Sequence, residues 1–117
     1  MPSERPHELP LDHPIIGSPW TYTITELHVV HPPSDEPYLD LVLRKDDTVR
    51  RLRFLSPQNI HIREGAWSNG IGLEIFDVSS QGLERLNVKV DTYETSDLHF
   101  WARTVIDLDA LDAQQDA

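Results

Sequence analysis

The side chains with chemical potential in this 117-residue chain are its six histidines and twenty carboxylates; there is no cysteine. Without thiols, a disulfide framework, a thiolate metal ligand and a thiol nucleophile are all excluded. His28 and His31 lie three residues apart and leave opposite faces of a strand, unless Pro32 and Pro33 redirect the second. His61, Glu64 and His99 fall on or beside different strands and converge only where those strands are neighbours. A zinc site needs three or four such ligands and further groups that orient them. A chelating pair within one strand reads His-x-His, whereas the stretch here is Asn59-Ile60-His61. The sequence therefore predicts no metal site.

Carboxylates offer a second chemistry. Glu64, Glu74 and Asp77 flank one predicted strand, and two carboxyl groups at a suitable separation can hydrolyse a glycosidic bond. Among twenty acids such pairs arise by chance, and Asp77 beside Ser79 and Ser80 has the simpler task of accepting turn backbone N–H groups. The run Asp107-x-Asp109-x-x-Asp112 lacks the glycine and closing glutamate of a calcium loop and reads as solvated tail. The sequence contains neither a Gly-x-Ser-x-Gly elbow nor a phosphate-binding glycine loop. No catalytic residue and no cofactor is assigned. Of the aromatic residues, Trp67 sits in a turn-rich loop and Trp101 on the far side of the last strand from Phe100. Each marks either a contact surface or a second small core beneath the N-terminal arm. The candidate binding residues are Trp67, Trp101, His61, His99 and Glu64.

The elements that must position these residues are strands, because apolar residues recur with a period of two. Residues 1–19 carry Pro2, Pro6, Pro10, Pro14 and Pro19 and form an arm that is either extended or disordered, with Leu9, Leu11, Ile15 and Ile16 as anchors by which the part after Pro10 can dock. In Tyr22 to Val30 the apolar phase slips by one residue between Ile24 and Leu27, the mark of a β-bulge. Tyr38 to Arg44 and Thr48 to Leu55 form a hairpin about Lys45-Asp46-Asp47. Asn59 to Arg63 follows, then Ile71 to Val78, whose two apolar faces suit an interior strand. Leu83 to Val90 and Leu98 to Leu108 complete the set. In the last strand Leu98, Phe100, Ala102 and Ile106 share one face and His99, Trp101, Arg103 and Val105 the other. The expected core is Leu41, Leu43, Leu52, Phe54, Ile60, Ile62, Leu73, Ile75, Leu86, Val88, Leu98 and Phe100. The fold class is all-β, an antiparallel sandwich or small open barrel of about seven strands. One domain over 20–108 lies between the arm and an acidic tail, 109–117.

The net charge of −10 repels phosphate backbones and anionic lipids, so neither nucleic acid nor membrane is the expected partner. No stretch approaches the length of a membrane helix and the N-terminus has no apolar signal region, which makes the cytoplasm the expected location. Arg44, Lys45, Arg50, Arg51 and Arg53 concentrate half of the ten bases in one hairpin. They read as solvated strand faces rather than as a ribbon that steers a partner.

The run GLEIFDVSSQGLERLNVKVDTYETSDLHFWARTV resembles small uncharacterised bacterial β-proteins. In these an L-x-I-x-D strand, a short turn with Gly or Trp, a V-x-V strand and an aromatic-rich closing strand follow in order. Some are similar to immunity proteins that neutralise a partner toxin. The resemblance spans Phe54 to Ile106 and implies a protein partner but no catalytic residues. The expected function is thus a non-catalytic acidic binding module, immunity-type or self-associating. A homodimer would cover the second apolar faces, Trp101 with Val105 and Phe76 with Val78. The alternative is a small-ligand binder or enzyme with a cavity near His61, Glu64, Trp67 and His99.

Overall fold

The computed structural model describes residues 11–63, 73–79, 85–92 and 98–110. Among them are nine strands: β1 (Leu11–Asp12), β2 (Thr23–Val30), β3 (Tyr38–Lys45), β4 (Thr48–Leu55), β5 (Gln58–Ile62), β6 (Leu73–Asp77), β7 (Val88–Thr92), β8 (Leu98–Ala102) and β9 (Thr104–Asp107). They form two antiparallel sheets, ordered β1-β6-β7-β8-β5 and β2-β3-β4-β9. The architecture is an all-β sandwich. Alternation dictates its core: Leu39, Leu41, Leu43, Leu52 and Phe54 turn inward from one sheet, and Leu73, Ile75, Val88, Val90, Leu98 and Phe100 from the other. Phe54 and Phe100 meet edge to face across the interior, ring centres 5.1 Å apart at 87°.

The phase slip in β2 is a bulge: the register to β3 shifts between Ile24 and Glu26. Thr25 is the extra residue, and its hydroxyl donates to the Val42 carbonyl at 3.2 Å. The β3–β4 hairpin closes through Asp46 and Asp47, with Lys45 opposite Thr48. Asp46 takes a left-handed φ of 54°, which aspartate tolerates better than most residues.

Three expectations about strands are overturned. Ile60 and Ile62 are 37% and 41% exposed rather than core. Among the described residues β5 is an edge strand bonded to β8 alone, all five of its residues are exposed, and a bulge between Gln58 and His61, with Asn59 at φ 54°, shifts its register. Leu86, also expected in the core, is half-buried and precedes β7. The closing strand, expected unbroken over 98–108, is two strands in different sheets. Gln58 pairs with Trp101 in one sheet and Leu55 with Thr104 in the other. The two antiparallel segments therefore pass between sheets side by side, at Ser56-Pro57 and at Arg103. Crossing at Arg103 reverses the apolar phase. Val105 is buried opposite Phe54, while Ile106 stands opposite Arg53 on the outer face. Val78 is buried as well. Of the four side chains thought to need outside cover, Val78 and Val105 are thus covered within the chain.

The arm after Pro10 docks. Leu11 and Asp12 pair with Asp77 and Phe76, the His13 N–H bonds to the Ile75 carbonyl at 2.9 Å, and Ile16 enters the core. It closes the β6 edge, with β6 and β7 between it and the Trp101 strand, so residues 11–19 form no mini-core over Trp101. Leu9 lies outside the described residues.

The basic hairpin is tied to carboxylates. Arg53 donates twice to Asp40, at 2.8 and 3.0 Å, and lies over the Tyr38 ring at 3.8 Å. Arg50 meets Asp107 at 2.7 Å and Arg51 meets Asp109 at 2.9 Å. The Asp107 carboxylate also accepts the backbone N–H groups of Asp109 and Ala110, capping a helical turn that begins at residue 108. Asp107 and Asp109 are therefore structural ligands of the hairpin rather than solvated tail. No helix among the described residues is long and apolar enough to cross a membrane.

Candidate binding face

The outer face of the five-stranded sheet collects the described candidates in two rows. Register places Asp12, Phe76, Lys89, Trp101 and Gln58 side by side across all five strands. One step along, Glu74 stands opposite Asp91 and His99 opposite His61. The bulge at Asn59 creates the second match, since without the extra residue Ile60 would face His99. Phe76 and Trp101 are half-buried, and the Lys89 ammonium lies 5.1 Å from the Trp101 ring centre. The rings of His61 and His99 stack, centres 4.9 Å apart and planes within 25°.

The electrostatics of this face are unfavourable within the chain. Burial raises the Glu74 pKa, and the Asp12 and Asp91 carboxylates push it further up. Like charges directly opposite across an antiparallel pair are destabilising. Lys89 is the one lysine or arginine in the five strands of this sheet. The face thus holds two half-covered aromatic rings, a stacked imidazole pair and an acidic cluster short of cations.

The structure brings together three of the five residues singled out by sequence: His61, His99 and Trp101. Glu64 and Trp67 lie outside the described residues. Among the described residues no group of three potential ligands could hold a metal ion. Asp77 caps its turn, accepting the Ser79 N–H at 2.9 Å and hydroxyl at 2.6 Å, and these bonds hold its carboxyl below the usual range. His28 bonds to Glu26 at 2.9 Å on the exposed surface of β2, away from this face. Sequence reasoning did not associate Asp12, Glu74 and Asp91, because only the strand order makes them neighbours. Comparison with family models, curated proteins and solved structures finds no match.

Proposed function

We propose that this protein is a non-catalytic binding module that takes a basic partner protein, as an immunity-type protein would, on the outer face of its five-stranded sheet and along the β5 edge. The observation that carries the reading is the acidic crowding of Glu74 against Asp12 and Asp91, which costs stability in the free chain. A cationic surface relieves that crowding, and Phe76 and Trp101 supply the aromatic anchors that such contacts favour. Beside them β5 offers a backbone edge that is unpaired among the described residues, with Ile60 and Ile62 exposed. A second copy of the chain suits the face less well, since it would bring the same acids against one another.

The test is a photo-crosslinking residue at Gln58 or His61 in cells that make the protein natively, with the same label at Asp47 in the β3–β4 turn as control. A discrete adduct with a basic protein from the first two positions alone is the expected result, and Glu74→Gln should weaken it. Equal labelling from Asp47, no adduct, or an adduct with the chain itself overturns the reading.

A further inference from the structure

Beside that face, the corner where the chain changes sheets holds a half-open cavity of about 350 Å³, lined among the described residues by Ser56, Gln58, Arg85, Leu86 and Arg103. This is the small end of the range for ligand pockets. Glu36 builds one side of the corner: Arg103 donates to its two oxygens at 2.7 and 2.9 Å, and the Ser56 hydroxyl meets it at 2.5 Å. Asn87 holds the Arg103 backbone, donating to its carbonyl at 3.1 Å. The Arg103 fork is thereby fixed in place with two of its N–H groups engaged, while a guanidinium carries five.

Arg85 differs. It lines the same cavity, is exposed, and makes no hydrogen bond or close ion pair among the described residues, though its charge helps to hold the Glu36 carboxyl down. Its backbone sits at φ 62°, a region where glycine or asparagine is at ease and an arginine is not. Ser56, another lining residue, is also left-handed at φ 51°, which the corner it turns accounts for. Beyond that pull on Glu36, no contact among the described residues asks for an arginine at 85. Backbone strain of this kind gathers at ligand sites, where the side chain is worth its cost.

We propose that the corner cavity is a binding site for a small organic monocarboxylate, held by Arg85 and the remaining N–H groups of Arg103, with the Gln58 amide beside them and Leu86 against its apolar body. The charge count selects the class. Two guanidinium groups against the one carboxylate of Glu36 leave a single positive charge, which one carboxylate balances. A phosphate dianion would exceed it on a chain of net charge −10. The planar carboxylate also matches the guanidinium fork. The site shares no lining residue with the proposed protein-binding face except Gln58, so either can fail without the other.

The experiment is an amide-resolved NMR titration of the full chain at neutral pH and low salt, with benzoate as the probe and benzamide and inorganic phosphate as comparisons. Benzoate should shift the amides of Ser56, Gln58, Leu86 and Arg103 saturably, and benzamide and phosphate should not. Arg85→Gly should weaken benzoate about tenfold, the loss expected for one charge-assisted contact, while Arg85→Lys keeps part of the affinity. Glycine is at ease at φ 62°, so Arg85→Gly should leave the melting temperature unchanged or raised, and lost binding then cannot be ascribed to lost folding. No saturable response to benzoate, undiminished binding in Arg85→Gly, or equal binding of benzamide or phosphate overturns the proposal.

Discussion

On the outer face of the four-stranded sheet Arg53 grips both oxygens of Asp40 and covers Tyr38, and Arg51 grips Asp109. On the outer face of the five-stranded sheet Glu74 faces Asp91, and Lys89 is the sole strand cation. The composition is common to both; the difference lies in where the bases fall along the chain. Half of them occupy one hairpin, where β3 and β9 bring acids to meet them. The sequence reads that hairpin as solvated strand faces, yet in the fold three of its five bases, Arg50, Arg51 and Arg53, are tied to carboxylates. By gathering the bases, it leaves the acids of the other sheet uncompensated. A local excess of one charge is thus informative chiefly about the surface from which that charge is missing.

Both faces rest on one interior, so the comparison presupposes that the two sheets fold as a unit. Phe54 belongs to one and Phe100 to the other. Phe54→Ala and Phe100→Ala should each destabilise by about 3–5 kcal/mol, as large cavities in packed cores do. The double variant should reveal a coupling of about 0.5–1.5 kcal/mol from the edge-to-face pair. Urea unfolding followed by tryptophan fluorescence and by far-UV dichroism should stay a single transition in each case. Two separate transitions would break the comparison at its base.

The sharpest contrast between the faces is one of sign. Asp40→Asn removes the partner of Arg53 and should lower stability by about 0.2–1 kcal/mol, the modest value of a partly exposed ion pair. Glu74→Gln removes a like-charge contact and should raise stability by about 0.2–1 kcal/mol at neutral pH. A group that stabilises the free chain when removed and weakens partner capture is serving the partner. If both variants destabilise equally, the two faces are equivalent and the proposed binding face loses its support.

Much of the sandwich was legible because half-buried strands alternate: Leu39, Leu41 and Leu43 could hardly be misread. The bulge in β2 was legible too, since Ile24 and Leu27 are visibly out of step. The bulge at Asn59 was not. Ile60-His61-Ile62 alternates cleanly, and nothing local shows that β5 has a single neighbour and no cover. The corner at Arg103 left a trace in the change from even-numbered to odd-numbered buried positions between Ala102 and Val105. Reading it requires knowing that Val105 is buried, which only Phe54 opposite it settles. The cation-poor face and the corner cavity were illegible because each is assembled from residues brought together by strand order.

The corner and the two faces answer differently to acid. Bonds from Arg103 and Ser56 hold the Glu36 carboxyl down to about 2, against an ordinary value of 4.5. A depressed carboxyl contributes stability that is fully present above the unfolded value and is lost as pH falls through the folded one. The corner should therefore weaken between about pH 4.5 and 2, and Glu36→Gln should flatten that part of the stability profile. Glu74 has the opposite sign, since its raised value favours the folded state at low pH and costs stability as pH rises through it. A stability profile in which Glu36→Gln and Glu74→Gln alter the same limb in the same direction would contradict both assignments.

The smallest expected effect concerns the strap that joins the arm to the five-stranded sheet. His13 Nδ1 accepts the Ile15 N–H at 3.1 Å, so the ring is neutral with its proton on Nε2. Burial lowers its pKa below the ordinary 6.5, with the Asp77 carboxylate of β6 opposing. Protonation would place a second donor against the Ile15 N–H. With the folded value depressed, the bond's contribution is present above about pH 6.5 and is lost as pH falls through the folded value. The loss should be no more than about 1 kcal/mol, the net worth of one hydrogen bond, and confined to the strap, because β6 keeps its partner β7. Amide exchange, corrected for intrinsic rates, should show protection at Ile15 falling as pH is lowered from neutral through the folded value of His13, while that of Val88 and Val90 holds. His13→Asn keeps an acceptor near the same position without a titrating ring and should remove the pH dependence. Protection at Ile15 that does not respond to acid in the parent protein would show that the histidine ring is incidental and that the β1 pairing and the buried Ile16 hold the arm.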